Sequence, residues 1–581
     1  MTEKKITISI ASEKDRDKIY QLRHEVYGSE LMQHSENESR LFRDGLDDFN
    51  TYICAKINNE IVGFISVTPP DKDRYSIDKY FNRKDLPFKV TDHLYEMRIL
   101  TVLKAYRGQP VALALMWSAF RWIESNGGTN IMAIGRTEVL NMYLKLGFNE
   151  MGKTIKSGKV TFELLLGNVS TLGVFIEKNF KNLFIKLERQ CIWNLEISFF
   201  KPSECYHGGH FFEAIGNEFD NLSRRKTIIN ADVLDAWFDP SPKILEELET
   251  HLSWICKTSP PTDCSGMANS IANTRGVKPE NILPGAGSSD LIFMAFREWL
   301  TSESHVLILD PMYGEYSHVL ENIIGCRVDR ITLFEDDNYV LNPETLISMA
   351  KNNYDLIVIV NPNSPTGQHV SRTALETTLK QIPLTTRIWL DETYVEYAGK
   401  NQSLEKFATK SKNTIVCKSM SKMYALSGLR SAYLCASPYQ LEKLRSISPP
   451  WAVSLPAQIA AVIALKDTEY YEKCYEKTHV FRDDFSSELK RIGAIKVVQT
   501  MANFILCHLP ENGPNAETIV TKCREKGLFI RDVSNMGSDF GKHSIRIAIK
   551  DRETNRMMIK ILKKVLINNS IINTKANNAY N

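Results

Sequence analysis

Ser419-Met420-Ser421-Lys422-Met423-Tyr424-Ala425-Leu426-Ser427-Gly428-Leu429-Arg430 sets one lysine amine among hydroxyls, with an arginine downstream. An exposed lysine holds its proton up to about pH 10.4, so an amine that condenses with an aldehyde needs cationic or desolvating neighbours. Arg430 is such a neighbour, and Ser419 and Ser421 offer hydroxyls to a phosphate. The same letters also fit a lysine in a polar loop, so the rest of the chain decides between the two.

Three upstream segments favour the chemical reading. In Asn281-Ile282-Leu283-Pro284-Gly285-Ala286-Gly287-Ser288-Ser289-Asp290, a short apolar stretch runs through Gly-x-Gly into a helical pattern, whose first amides suit a phosphate. Leu356-Ile357-Val358-Ile359-Val360 reads as a buried strand ending in the turn Asn361-Pro362-Asn363-Ser364-Pro365-Thr366-Gly367. Open α/β sheets place ligands at such carboxyl ends. Arg387-Ile388-Trp389-Leu390 is a second short strand, closing on Asp391-Glu392-Thr393-Tyr394. A carboxylate there can keep a pyridinium nitrogen protonated, and Tyr394 can reach a ring hydroxyl.

Taken in chain order, Gly-x-Gly-Ser, Pro-Asn-x-Pro-Thr-Gly, Asp-Glu-x-Tyr and Ser-x-Ser-Lys-x-x-x-Leu-x-Gly-x-Arg resemble the class I/II aminotransferases, and most nearly the histidinol-phosphate aminotransferase and threonine-phosphate decarboxylase group. The likeness runs from about Asp232 to Leu566. It implies a fold-type I enzyme using pyridoxal 5′-phosphate, with Lys422 as covalent attachment point and proton shuttle. By the same likeness Asp391 pairs with the ring nitrogen, Tyr394 with the ring oxygen and Arg430 with the phosphate. Ser288, Ser289 and Ser419 complete the phosphate cup, Tyr313 stacks on the ring, and Arg546 holds the substrate α-carboxylate as a planar pair. Each residue also has an ordinary structural use: Asp391 as a helix cap, Tyr313 as core, Arg546 as an edge charge.

Two departures stand out. Relatives often carry Asn immediately before Pro-Thr-Gly to bond the ring oxygen; here Ser364 stands there, so the contact moves to Asn363 or to Ser364 itself. The Asn-Glu-Asn-Pro-Tyr-like segment that lines the relatives' substrate pocket is replaced by Leu234-Asp235-Ala236-Trp237-Phe238-Asp239-Pro240-Ser241-Pro242, which argues against histidinol phosphate as substrate.

The first third has another character. Short apolar strands at Ile6–Ile10, Thr51–Ala55, Ile61–Ile65, Leu94–Val102 and Ile131–Ile134 accompany a helical pattern over Val111–Ser125. Lys104-Ala105-Tyr106-Arg107-Gly108-Gln109-Pro110-Val111-Ala112 leads into that helix, whose positive end suits a pyrophosphate. With Asn141-Met142-Tyr143-Leu144-Lys145-Leu146-Gly147-Phe148, this resembles the GCN5-related N-acetyltransferase (GNAT) superfamily. The resemblance implies a mixed α/β acyltransferase domain taking acetyl-CoA or another acyl-CoA at Arg107, Gly108, Gln109 and Ala112. Tyr143 would protonate the departing thiolate, and Glu96 would accept the amine's proton. Pro110 replaces the loop's second glycine and has no N–H to give, which weakens pyrophosphate binding and leaves open a non-catalytic acyl-CoA sensor. The stretches Leu22-Arg23-His24-Glu25-Val26-Tyr27 and Asp47-Asp48-Phe49-Asn50-Thr51-Tyr52 resemble N-acyl amino acid and acyl-homoserine lactone synthases, which take acyl groups from carrier proteins.

Between the two regions, Thr171–Glu196 alternates aromatic, aliphatic and lysine residues and is read as a helix packed on one domain rather than lying on a membrane. Cys205-Tyr206-His207-Gly208-Gly209-His210 lacks a second ligand cluster, so no metal site is expected. The chain of 581 residues exceeds a single core. Its 72 basic and 69 acidic residues leave a charge of +3, which gives no strong attraction to nucleic acid. Eleven cysteines without Cys-x-x-Cys and the start Met1-Thr2-Glu3-Lys4-Lys5 suit a reducing cytoplasm, and no apolar run reaches the roughly 20 residues of a membrane span.

The expected organisation is an α/β chain with a GNAT-like domain over 1–166, a linking segment over 167–230, an aminotransferase-like domain with a small C-terminal part over 231–572, and a polar tail over 573–581. The expected activity is amino transfer between an amino acid and a 2-oxo acid or related carbonyl, in a homodimer, joined to N-acyl transfer with an acyl carrier protein as a possible partner. The alternative is decarboxylation at the same lysine.

Overall fold

Asn58 and Asn59, with φ of 53° and 65°, turn the chain between two apolar-alternating runs, because Asn tolerates the left-handed conformation that a tight hairpin demands. The computed structural model describes residues 5–30, 37–70, 74–157, 160–198, 208–493 and 495–577. They divide into a unit ending at Ser203 and a unit beginning at Glu204.

In the first unit that hairpin joins β2 (Thr51–Ile57) to β3 (Glu60–Thr68). With β1 (Ile6–Ile10), β4 (Leu94–Val102), β5 (Asn130–Arg136), β6 (Asn149–Ser157), β7 (Val160–Asn168) and β8 (Cys191–Asn194) they form one sheet in the order β6-β7-β5-β4-β3-β2-β1-β8. Helix α1 (Glu13–Arg23) covers one face, and α2 (Val111–Ser125) buries Val111, Ala114, Leu115, Ala119 and Ile123 on the other. The parallel pairing of β4 and β5 runs from Leu94↔Asn130 to Met97↔Ala133 and goes no further, although both strands continue. Ile99, with a φ of 53° that a β-branched side chain resists, marks the place where β4 turns away.

The first part of the segment between the two expected domains, through Ser203, falls in the first unit and the rest in the second. Asn168 caps α3 (Val169–Gln190) by accepting from Thr171 N at 3.0 Å, and the helix buries Leu172, Ile176, Phe184 and Leu187 in the α2-side core. β8 then adds to β1 in parallel. Among the described residues no helix is long and apolar enough to cross a membrane.

The second unit is built on a seven-stranded sheet in the order Ile282–Gly285, Ala432–Cys435, Thr414–Ser419, Arg387–Asp391, Leu356–Val360, His305–Asp310, Arg327–Thr332. All pair in parallel except Ala432–Cys435, which runs against both neighbours. Central strands such as Leu356–Val360 are buried along their whole length, as a sheet covered on both faces requires. A smaller antiparallel sheet orders Lys496–Val497, Phe504–His508, Ser544–Ala548 and Arg531–Asp532. Leu528–Phe529 pairs with Ile229–Asn230 and so fixes the chain just ahead of Asp232 and Asp235. The last helix, Arg552–Asn577, extends into the stretch read from sequence as a polar tail.

Phe184→Ala removes a buried ring from the α2-side core, and urea unfolding is expected to show a loss of about 3–5 kcal/mol. An unchanged unfolding curve would mean that α3 does not contribute to that core.

Candidate active site

Because the central strands of the second unit are parallel, their carboxyl ends share one edge of the sheet. Asp391 closes the Arg387–Asp391 strand there and is buried. Tyr316 Oη donates to its Oδ2 at 2.7 Å, and Thr393 N and Oγ1 donate to Oδ1 at 2.9 and 2.6 Å. Trp389 Nε1 donates in turn to Tyr316 Oη at 2.9 Å. These donors are neutral, so burial prevails and raises the carboxyl pKa. A cation brought against Asp391 would be strongly favoured.

Lys422 Nζ donates to Asp235 Oδ1 at 2.8 Å and to Ser427 Oγ at 3.4 Å. Burial works to raise the Asp235 carboxyl, but Lys422 outweighs it and the net shift is downward. Lys550 Nζ reaches the Asp235 carbonyl at 3.4 Å, and burial, against the pull of Asp235 and with the repulsion of Lys422, pushes its amine down to about 8.

The anion end of the site is formed by a glycine, an arginine and a helix start. Gly287 has a φ of +99° and precedes the Ser288–Trp299 helix; a Cβ there would stand 2.5 Å from Arg430 Nη2. Arg430, itself left-handed with a φ of 60°, donates from Nη1 to Ser427 O at 3.1 Å. Its guanidinium thus lies against the amide-rich helix start, an arrangement made for a phosphate. Ser419 is buried and accepts from Ser421 N at 3.3 Å. Ser289 donates its hydroxyl to Glu315 Oε2 at 3.0 Å, which would leave its backbone N–H for a phosphate.

Tyr313 also donates to Glu315 Oε2, at 2.8 Å, and its ring meets Tyr316 edge-on at 6.0 Å. Tyr394 is buried, and burial raises its hydroxyl pKa against the opposing charge of Arg546. Arg546 is not an edge charge: its strand is buried throughout, and burial pushes the guanidinium down to about 10. It donates from Nη1 to Ser364 Oγ at 3.1 Å and from Nη2 to Asp232 O at 3.3 Å. Asn363 donates from Nδ2 to Pro311 O at 3.0 Å and Thr366 Oγ1 at 3.2 Å. Asn363 Oδ1 and Arg546 Nε are buried without a hydrogen-bond partner. Two unsatisfied buried groups beside an amine, a carboxylate seeking a cation and a phosphate cup fit pyridoxal phosphate with its amino acid substrate.

In the first unit a cavity of about 710 Å³ opens where β4 and β5 part, and both Glu96 and Tyr143 line it. Glu96 is fully buried; Ser76 N donates to its Oε2 at 2.9 Å and Ser76 Oγ to its Oε1, while burial raises its pKa. Burial, then Tyr27, pushes Tyr143 up to about 12. Ala112 and Arg107 line the cavity, and Gly108 takes a φ of +82°. Arg107, however, pairs both terminal nitrogens with Glu30, Nη2 at 3.0 Å, and gives Nε to Val102 O. Pro110 stands at the N-cap of α2, directly after Gln109. The stretches around Arg23 and Asp47 meet: Arg23 Nη1 donates to both Asp47 oxygens at 2.9 Å, and Asp44 ties Arg23 to Arg98.

Sequence reasoning did not assign Asp235, Tyr316, Thr393, Glu315, Lys550, Glu30 or Arg98. An acidic residue in the departing 234–242 segment was the one signal for Asp235, and Tyr316 lay unassigned in the segment that supplied Tyr313. Cys205, Tyr206 and His207 lie outside the described residues.

Compared with known proteins, residues 234–562 match the family "Aminotransferase class I and II", and residues 16–148 match the acetyltransferase (GNAT) family. The histidinol-phosphate aminotransferase of Moorella thermoacetica is 28% identical over 331 residues, covering 56% of this chain and 82% of that protein. The crystal structure of histidinol-phosphate aminotransferase from Sinorhizobium meliloti in complex with pyridoxal-5′-phosphate is similar at a TM-score of 0.57 and 21% identity, covering 64% of this chain and 98% of that one. L-threonine-O-3-phosphate decarboxylase from Porphyromonas gingivalis is similar at 0.52 and 23%, covering 58% and 99%. At these identities both structures speak for the fold.

Gly287→Ala forces a side chain into a left-handed position and against Arg430, a strain of about 1–3 kcal/mol, and fluorescence titration is expected to show weaker pyridoxal phosphate binding. Unchanged affinity would remove Gly287 and Arg430 from the phosphate cup. Competitive amine labelling read by mass spectrometry should give Lys550 a midpoint near pH 8, below which the proton blocks reaction, against about pH 10.4 for exposed lysines. A Lys550 midpoint with the exposed lysines would contradict its burial beside Lys422.

Proposed function

The chain belongs to the class I and II aminotransferases and carries a GNAT acetyltransferase domain at residues 16–148, and on that premise we propose a two-site transferase that moves amino groups in its second unit and acyl groups in its first. The gathering of Lys422, Asp391 and Arg430 at one edge of the seven-stranded sheet, with Arg546 of the smaller sheet reaching Ser364 there, carries the reading of the second unit.

Pyridoxal phosphate is the cofactor expected of this family; bound, it supplies an aldehyde that condenses with amines and a cationic ring that withdraws electrons. Arg430, the backbone at Ser288 and Ser289, and Ser419 would hold its phosphate; Asp391 would face the ring nitrogen, Tyr394 and Ser364 or Asn363 the ring oxygen, and Tyr313 the ring face. Arg546, with two nitrogens committed and Nε free, orients an amino acid by its α-carboxylate. Lys422 Nζ takes and returns the proton at the α-carbon, and Asp235 Oδ1 holds that amine when it is not bonded to the cofactor. Amino transfer from an amino acid to a 2-oxo acid or related carbonyl follows, in a homodimer. The same residues serve decarboxylation if the substrate's carboxylate, instead of its α-hydrogen, stands perpendicular to the ring.

In the first unit Glu96 accepts a proton from an attacking amine and Tyr143 returns one to the leaving thiolate. The ion pair of Arg107 with Glu30 sets a carboxylate at the loop where a coenzyme A pyrophosphate would dock, which favours an acyl donor carried on a protein. The fusion joins an enzyme that makes or consumes amines to one that acylates them.

Holoenzyme incubated with a panel of amino acids and a 2-oxo acid should convert at least one amino acid to its 2-oxo acid without releasing carbon dioxide, and Lys422→Ala should reduce the rate by at least about a thousandfold. Carbon dioxide with the matching amine as product would establish decarboxylation instead. Turnover unaffected by Lys422→Ala would overturn the reading.

A further inference from the structure

The strand that ends on Asp391 begins on Arg387, and a second cavity lies at that beginning. Its volume of about 540 Å³ falls within the roughly 300–1,000 Å³ of small-molecule sites. A strand rises about 3.3 Å per residue, which puts Arg387 about 13 Å from Asp391 and keeps this cavity apart from the site already described. Its walls are tied together by two of the residues that line it. Asn413 Nδ2 donates to Thr386 O at 2.9 Å, and Gln440 Nε2 donates to Ser411 O at 3.0 Å and to Thr414 O at 3.1 Å.

Arg387 lines the cavity half-buried, its Cζ 4.3 Å from the centre of the Trp299 ring. Among the described residues its guanidinium has neither an ion pair nor a hydrogen bond. Burial pulls its pKa down, and only Tyr439 acts the other way. A guanidinium stripped of water without a counter-ion is completed by an anion, because the ring beside it compensates only in part. Lys412 and Lys443 add two ammonium groups to the lining. Lys443 lies 3.7 Å from Glu298, and Glu442 is the one carboxylate of the lining, so the balance of charge stays positive. Tyr439 and Leu384, also in the lining, are 82% and 65% exposed. An aromatic ring presented to solvent beside cations is a platform on which a flat base stacks.

We propose that this cavity binds a nucleoside monophosphate, its phosphate held by Arg387, Lys412 and Lys443 and its base stacked on Tyr439. A phosphate monoester carries nearly two negative charges at neutral pH and three acceptor oxygens, which matches one planar fork and two point charges better than a single carboxylate does.

The test uses the full chain loaded with pyridoxal phosphate and freed of excess, so that the phosphate cup beside Lys422 is filled. Calorimetric titrations follow with adenosine and cytidine 5′-monophosphate, adenosine, inorganic phosphate and pyridoxine 5′-phosphate. One equivalent of either nucleotide per chain is expected, with adenosine and inorganic phosphate each at least about tenfold weaker, since each makes only part of the contacts. Arg387→Gln should weaken the nucleotides and inorganic phosphate at least about tenfold. Lys412→Gln, at an exposed position, should weaken the same ligands at unchanged Tm and so keeps the test open if Arg387→Gln disturbs the packing on Trp299. Tyr439→Ala should weaken the nucleotides about tenfold and leave inorganic phosphate unchanged.

No saturable nucleotide binding, or binding indifferent to Arg387, Lys412 and Tyr439, would overturn the proposal. Inorganic phosphate binding as tightly as the nucleotides, or pyridoxine 5′-phosphate binding more tightly than either, would overturn the assignment to a nucleoside.

Discussion

A carboxylate buried at the end of a central strand, and satisfied by neutral donors alone, is the constraint on which the second unit turns. Removing an ion from water costs several kcal/mol even after relaxation, and Tyr316 and Thr393 return only part of it to Asp391. The raised carboxyl pKa records the remainder. A ring cation placed against Asp391 supplies the missing charge, and the surrounding parts make sense as what orients that ring. On the proposed reading a glycine-shaped cup and Arg430 would hold its phosphate, Lys422 would supply the amine, and Arg546 would bind the substrate's carboxylate. The sheet does the positioning: parallel strands deliver Asn361–Gly367, Asp391 and Ser419–Lys422 to one edge.

Two lysines meet at Asp235. Lys422 holds Asp235 Oδ1, and Lys550 reaches the same residue's carbonyl, so the second amine sits where its proton is easily lost. Asp235 comes from the segment in which this chain departs from its relatives, and Trp237 from the same segment is anchored through Nε1 to Thr478 at 2.8 Å. The departing segment therefore sets a carboxylate against the Lys422 amine.

Much of this was legible in the sequence because the cofactor residues lie in short, spaced segments whose chemistry is local. Gly287 before a helix, Asp391 ending a strand and Lys422 among hydroxyls each announce a backbone position. The strands Leu94–Val102 and Leu356–Val360 and the helix Val111–Ser125 carry their periodicity openly. What stayed hidden depends on juxtaposition across the chain. Nothing local joins Asp235 to Lys422, Tyr316 to Asp391, or Glu30 to Arg107, and a polar residue seen without its partner reads as surface. Arg546 illustrates the converse, since an arginine in a strand suggests an edge until its neighbours prove to be buried.

The central claim is that the amine of Lys422 is the one that captures the cofactor's aldehyde beside Asp391. Borohydride reduction of the protein after incubation with pyridoxal phosphate, followed by peptide mapping, tests it directly. The reduced cofactor should be found on the peptide containing Lys422, with Asp391→Asn weakening capture. Label spread over surface lysines, or concentrated on Lys550 with Lys422 unmodified, would contradict the account.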